Sequence, residues 1–180
     1  IASGRANAAT LQINSRSTTV PAAGTLSLSV SVNSEGVAIN NAGARISFPT
    51  DLLSVVSVSK GGVFSLWAEE PSYSNSSGTI SFNGGVPTPG YNGAGGTVIS
   101  FVVKAKVVGQ ANLAFSDASV LANDGLGTEV LSGRSGKTIT ITEAVPVVEE
   151  AAPASAPVVE TPTPETPVPV APVEQSLKKK

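Results

Sequence analysis

Apolar residues and serines alternate through LSLSVSV (residues 26–32), so that Leu26, Leu28, Val30 and Val32 fall on one side of an extended chain. A period of two with one apolar side predicts a strand with one face in a core and the other in water. The same period recurs along the chain. TLQINS (10–15) alternates Leu11 and Ile13. ARISF (44–48) sets Ala44, Ile46 and Phe48 inward against Arg45 and Ser47. LSVVSVS (53–59) points Leu53, either Val55 or Val56, and Val58 to the core. TISFN (79–83) and KTITIT (137–142) repeat the pattern with Ile80 and Phe82, and with Ile139 and Ile141. TVISFVVKAKV (97–107) places Ile99, Phe101, Val103, Ala105 and Val107 on one side. ANLAFSDASVLAN (111–123) reads as a long strand bent near Asp117. FSLWAEEPSYS (64–74) is less regular, and Pro71 marks it as an edge or bulged strand.

Between these runs stand turn clusters: Pro21-Ala22-Ala23-Gly24, residues 33–36, Pro49-Thr50-Asp51, Lys60-Gly61-Gly62, and residues 75–78, 87–96, 108–110 and 123–136. Roughly nine strands with such frequent turns, and no helical period sustained over three turns, predict an all-β antiparallel sandwich over residues 10–142. Residues 1–9 precede the pattern as a flexible amino terminus or a signal-peptide remnant. Ala6-Asn7-Ala8 fits the small-x-small site of a signal peptidase, and cleavage there would leave Ala9 first. Residues 143–180 change character to Pro, Ala, Val, Thr and Glu without an apolar face. Such a segment buries too little surface to offset its ordering entropy, so it is expected to be a disordered Pro-rich linker with a basic end. Its Thr-Pro pairs at Thr161, Thr163 and Thr166 suit O-glycosylation or a bare spacer. Lys178-Lys179-Lys180 is a cluster of the kind that flanks a membrane segment, so membrane attachment would run through residues beyond Lys180; the other reading is a solvated terminus.

Composition then narrows the chemistry. The 180 residues carry a net charge of −2, which gives no basic field for nucleic acid. Cysteine and histidine are both absent, so there is no disulfide, no thiolate metal site, no Ser-His-Asp triad and no His-ligated zinc. No run of 18 apolar residues occurs that would form a transmembrane helix. Of the acids in the strand region, Glu69, Glu70, Asp117 and Asp124 lie in no recognisable catalytic motif, and a non-catalytic protein without cofactors is expected.

The order of features resembles the cohesin domain of cellulosomal scaffold proteins, and more loosely the sandwich-type carbohydrate-binding modules that share its fold. The resemblance rests on the turn Val20-Pro21-Ala22-Ala23-Gly24, the long alternating strand after it, Phe48-Pro49-Thr50-Asp51-Leu52-Leu53-Ser54-Val55-Val56-Ser57-Val58, the Gly-Thr-led strand GTVISFVVKAKV (96–107), and LAFSDASVLANDG (113–125). Cohesins read roughly Tyr-Asp-Pro-x-x-Leu-x-Val at the third of these; here Phe48 replaces Tyr, and Pro49-Thr50-Asp51 reorders the rest. The resemblance covers residues 10–142. It implies a nine-stranded antiparallel jelly-roll β-sandwich. It also implies an exported, secreted or cell-surface binding module whose partner is a dockerin, a small calcium-loaded helical module. That partner would dock on the sheet of the third, fifth, sixth and eighth strands, here near 40–48, 66–74, 79–85 and 113–123. The outward residues there become partner-binding candidates: Asn41, Arg45, Ser47, Thr79, Ser81 and Asn83. Cohesins often carry Asn and Asp two residues apart on the third strand; Asn41 matches the first, but Gly43 stands at the second.

A polysaccharide is the alternative partner. Trp67, Tyr73 and Tyr91 are the candidate stacking residues, because aromatic faces pack on sugar rings. Trp67 would equally suit a protein-binding hot spot or the core. Tyr91 sits on a Gly-rich segment (86–96) that reads as a mobile loop. Asn123, Asp124 and Glu129 resemble a calcium loop in their alternating oxygens, without the full spacing of one; an Asn-Asp-Gly turn with no metal has the same sequence.

Overall fold

The computed structural model describes residues 9–144. The Ala6-Asn7-Ala8 site and the Pro-rich segment from residue 145 onward lie outside the described residues. Eleven strands follow in chain order: β1 (Ala9–Ser15), β2 (Thr19–Pro21), β3 (Thr25–Asn33), β4 (Ile39–Ser47), β5 (Leu53–Lys60), β6 (Leu66–Ser74), β7 (Thr79–Gly85), β8 (Gly96–Ala105), β9 (Gly109–Ala122), β10 (Leu131–Ser135) and β11 (Lys137–Thr142). They form a five-stranded sheet, β10-β1-β3-β8-β5, and a six-stranded sheet, β2-β11-β9-β4-β7-β6.

All nine strands read from the alternation are present, and the all-β class holds. Two short strands are added, β2 and β10. Both pair in parallel, β10 with β1 and β2 with β11, so the sandwich is not purely antiparallel. β2 has only three residues, and β10 (LSGRS) has one apolar residue and no alternation, which is why the pattern does not reveal them. β1 begins one residue before the expected start: Ala9 is completely buried and its N–H donates to the carbonyl of Val130.

The core is the space between the two inner faces, about 10 Å thick in such packings. One sheet contributes Leu11, Ile13, Val30, Val32, Ile99, Phe101 and Val103. The other contributes Ile39, Ala42, Ile46, Ile80, Phe82, Leu113, Ile139 and Ile141. Bulges explain the departures from strict alternation. The β3–β8 register slips between Val30 and Ser31, so adjacent Val98 and Ile99 are both buried. The β5–β8 register slips between Val55 and Ser57, which buries Val55 and turns Val56 outward. Val107 is exposed rather than inward, because β8 ends at Ala105. The bend expected near Asp117 is a bulge, with Arg45 opposite Asp117 but Ile46 opposite Phe115.

β6 is the edge of its sheet, where Pro71 is tolerated, and slips twice against β7, between Trp67 and Glu69 and again across Pro71. It faces β5, the edge of the other sheet, and side chains lace the two together. Lys60 Nζ lies 2.7 Å from Glu70 Oε2 and 5.7 Å above the Trp67 ring. The Tyr73 hydroxyl donates to the carbonyl of Val56 at 3.0 Å. Asn75, in the turn after β6, receives the Val55 N–H on Oδ1 at 2.7 Å and donates from Nδ2 to the Val55 carbonyl at 2.9 Å.

Candidate functional site: the outer face of the β9-β4-β7-β6 sheet

Inward positions on β4 and β7 are fixed by the core: Ala42, Ala44 and Ile46 stand opposite Gly84, Phe82 and Ile80. The alternate residues must then face outward, and they form rows across four adjacent strands. Leu121, Asn41, Gly85 and Leu66 make one row. Ser119, Gly43, Asn83 and Glu69 make the next, and Asp117, Arg45, Ser81 and Ser72 the third. Ala114, Ser47, Thr79 and Ser74 complete the face. All six predicted partner-binding residues, Asn41, Arg45, Ser47, Thr79, Ser81 and Asn83, therefore share one surface on the two central strands. The four strands expected to build that surface are neighbours in a single sheet.

Gly43 does not leave a gap in the hydrogen bonding. Its missing side chain makes room for Asn83, whose Nδ2 lies 3.0 Å from where a Cβ on Gly43 would be. Asn83 Oδ1 accepts from Asn41 Nδ2 at 2.7 Å. The polar side chain beside Gly43 on this face thus comes from the neighbouring strand. A shallow depression of about 170 Å³ opens over Gly43, walled by Arg45, Ser81, Asn83 and Ser119 and flanked by Glu69 and Asp117.

Glu69, Asp117, Ser119, Leu66 and Leu121 belong to this face but are absent from the sequence-derived set. Bulges hide them. The two slips in β6 break the parity that would assign Leu66 and Glu69 to a face, and the slip at Ser116 does the same for Asp117. Among the described residues the one ion pair joins Lys60 and Glu70, so Arg45, Glu69 and Asp117 keep their charges for solvent or a partner.

The three aromatic candidates are not brought together. Trp67 stands opposite Gly84 on the inner side of β6, half-buried, with its ring edge-on to Phe64 at 6.2 Å and 83° and Lys60 over its face. Tyr73 lies at the other end of β6, opposite Ile80, where it ties β6 to β5. Tyr91 is elsewhere, packed on the core, with its hydroxyl close to Gly93 and Gly96. Its loop is fastened rather than mobile. Tyr91 and Ile39 exchange both backbone hydrogen bonds, and buried Ser34 donates to Asn92 Oδ1 at 2.9 Å while accepting from the Gly93 N–H at 2.9 Å. Trp67 and Tyr73 seal the seam between the sheets, and the three rings offer no shared platform to a sugar chain.

In the 123–129 loop the oxygens serve the turn. Asp124 accepts from the Leu126 N–H at 2.9 Å and from the Thr128 hydroxyl. The Thr128 bond first, and the Leu126 bond second, hold its carboxyl below the ordinary 3.8. Glu129 Oε1 accepts from the N–H groups of Val120 and Leu131, both at 2.9 Å, and Asn123 Oδ1 from the Thr88 hydroxyl at 3.4 Å. Among the described residues no group of three acidic side chains could hold a metal.

No protein-family model and no curated protein matches the sequence. Solved structures do match in three dimensions. The seventh ScaB type I cohesin of Pseudobacteroides cellulosolvens aligns at 18% identity and a TM-score of 0.61, over 78% of this chain and 96% of that one. The Coh-OlpC-Doc435 complex, a type I cohesin–dockerin complex of Clostridium thermocellum, aligns at 10% identity and 0.65, over 76% and 95%. A non-cellulosomal cohesin of the hyperthermophilic archaeon Archaeoglobus fulgidus aligns at 15% and 0.61, over 76% and 92%. Matching topology along nearly the whole length of each module, at identities this low, leads to one conclusion: the sandwich of residues 9–144 has the fold of a cohesin module.

Proposed function

We propose that this protein is an exported, non-catalytic, cohesin-like binding module, and that the outer face of β9-β4-β7-β6 receives a dockerin-like protein module. The observation that carries the reading is the convergence of Asn41, Arg45, Ser47, Thr79, Ser81 and Asn83 on one open sheet face. That face is polar, with Arg45 standing among shorter side chains at its centre, and its Asn41–Asn83 pair is already oriented by a hydrogen bond. Preformed polar groups on a rigid sheet lose little entropy on binding. The Coh-OlpC-Doc435 structure, which has the same fold, is itself a complex with a dockerin.

Secreted or cell-surface placement belongs to the same proposal and rests on the small-x-small pattern at Ala6-Asn7-Ala8. Carbohydrate binding finds no support in the scattered positions of Trp67, Tyr73 and Tyr91.

Affinity electrophoresis on polysaccharide gels, beside a pull-down from the secretome of the source cell, separates the readings. Capture of a helical, calcium-dependent protein partner with unretarded migration on the gels is the expected result. Retardation on a polysaccharide with no protein partner captured would overturn the proposal.

A further inference from the structure

Asparagine followed by glycine occurs twice in the chain, at Asn83-Gly84 and Asn92-Gly93. In such a pair the glycine nitrogen can attack the asparagine side-chain carbon, because glycine has no Cβ to crowd the approach. The fold treats the two pairs differently. Asn83-Gly84 lies inside β7, where Gly84 stands opposite Ala42 on β4 and Trp67 on β6, and Asn83 Oδ1 is taken by Asn41 Nδ2. The ladders on both sides hold that backbone extended.

Asn92-Gly93 lies between β7 and β8, and one hydroxyl spans its two reacting groups. Ser34 is completely buried. Its Oγ accepts from the Gly93 N–H at 2.9 Å and donates to Asn92 Oδ1 at 2.9 Å. The Gly93 nitrogen is the nucleophile of the cyclisation, and Oδ1 is the oxygen on which charge develops. Asn92 Nδ2, the leaving group, points the other way and donates to the Gly36 carbonyl at 3.4 Å. The main chain is clamped on both sides. Tyr91 and Ile39 exchange backbone hydrogen bonds, and the Ser34 N–H donates to the Gly93 carbonyl at 2.9 Å. A Cβ at position 93 would stand 2.8 Å from the Tyr91 hydroxyl, so this clamp calls for the residue that also makes the pair reactive.

We propose that Asn92-Gly93 is a self-modifying site, with Ser34 as its proton shuttle. The Gly93 nitrogen bonds to Asn92 Cγ and passes its proton to Ser34 Oγ. In the same step Ser34 gives its own proton to Oδ1, which takes the carbonyl π pair, and the serine ends neutral and unchanged. The tetrahedral centre then reforms its carbonyl and expels Nδ2, which takes up the Oδ1 proton and leaves as ammonia. Water opens the resulting succinimide at either carbonyl, leaving aspartate or isoaspartate at position 92. Such positioned proton transfer is general acid–base catalysis. It spares the buried site a free amide anion and a free oxyanion, both costly away from water. The product sets a carboxylate against the Gly36 carbonyl where an amide donated before, and isoaspartate lengthens the main chain by one methylene. Both changes loosen the strap that Tyr91 makes with Ile39.

A Ser34 that only fastened the loop would have the opposite effect on rate. It would restrain the backbone and slow cyclisation, so its removal would speed the reaction. The test incubates the full chain at neutral pH and follows the exchange of NH2 for OH by intact mass and peptide mapping. Expected is product at Asn92 and none at Asn83, formed faster in the folded chain than in the same chain unfolded in urea. Ser34→Ala should slow it about tenfold or more, a modest share of what positioned proton transfer contributes. The folded rate should also rise less steeply with pH than the rate in urea, because the shuttle replaces the hydroxide that otherwise ionises the Gly93 amide. Deuterium exchange at the Tyr91 and Ile39 amides should be faster in the modified chain.

No product at Asn92, a folded rate equal to or below that in urea, or a Ser34→Ala variant that reacts as fast as wild type or faster would overturn the inference. The comparison with urea uses wild type alone, so it decides the matter even where Ser34→Ala does not fold.

Discussion

At the scale of single residues, Asp124 shows how a carboxylate can be committed to a turn. Its oxygens are taken by the Thr128 hydroxyl and the Leu126 N–H, and its acidity follows from those two donors. A carboxyl whose folded value lies below 3.8 adds stability that is complete above that value and is lost as pH falls through the lower folded one. The Leu126 amide resonance is therefore expected to titrate with a midpoint below 3.8, and Asp124→Asn to remove that titration while leaving the sandwich folded; a midpoint at or above 3.8 would contradict the assignment. Gly43 and Asn83 illustrate the opposite economy. A position emptied on β4 is filled from β7, so a hydrogen-bonding group persists on the face although the residue expected to bear it is missing.

At the scale of elements, the seam between β5 and β6 depends on a side chain standing in for a strand. Asn75 pairs with both the N–H and the carbonyl of Val55, where the edge strand β5 has no further neighbour in its sheet. Asn75→Ala leaves both groups half-buried without these partners, at a cost of about 1–3 kcal/mol. Urea unfolding should show that loss as a lowered midpoint with an unchanged slope; an unchanged midpoint would mean that the seam holds without it. Such a contact is invisible in sequence, because it joins a turn residue after β6 to a strand of the other sheet 20 positions away. The long strands are legible for the contrary reason. β7 and most of β3 bury one face and leave the other more open to water, so their alternation follows directly from the core. Legibility fails wherever a bulge intervenes. Ser81 and Asn83 lie on a regular stretch of β7 and could be assigned to a face, whereas Glu69 and Asp117 follow register slips and could not. The aromatic residues misled for a different reason: the type of Trp67 and Tyr73 suggests a platform, but their positions on an edge strand turn them toward the other sheet.

At the scale of the whole molecule, the outer face of β9-β4-β7-β6 carries a shallow depression over Gly43 and an Asn41–Asn83 pair already hydrogen-bonded. Blocking that face without touching the core tests whether it is where binding occurs. Ser81 points outward from β7 beside Arg45 and lines the depression over Gly43, and a tryptophan there fills that depression and stands across the face. The most direct measurement is calorimetric titration of calcium-loaded dockerin modules into the full chain, its Ser81→Trp variant, and the wild type in chelator. Expected is one-to-one binding of at least one dockerin at about micromolar affinity or tighter, lost in Ser81→Trp, and lost in chelator while the sandwich itself stays folded. Binding by none of the dockerins, or binding that survives the tryptophan, would contradict the assignment of this face as the site of a dockerin-like partner.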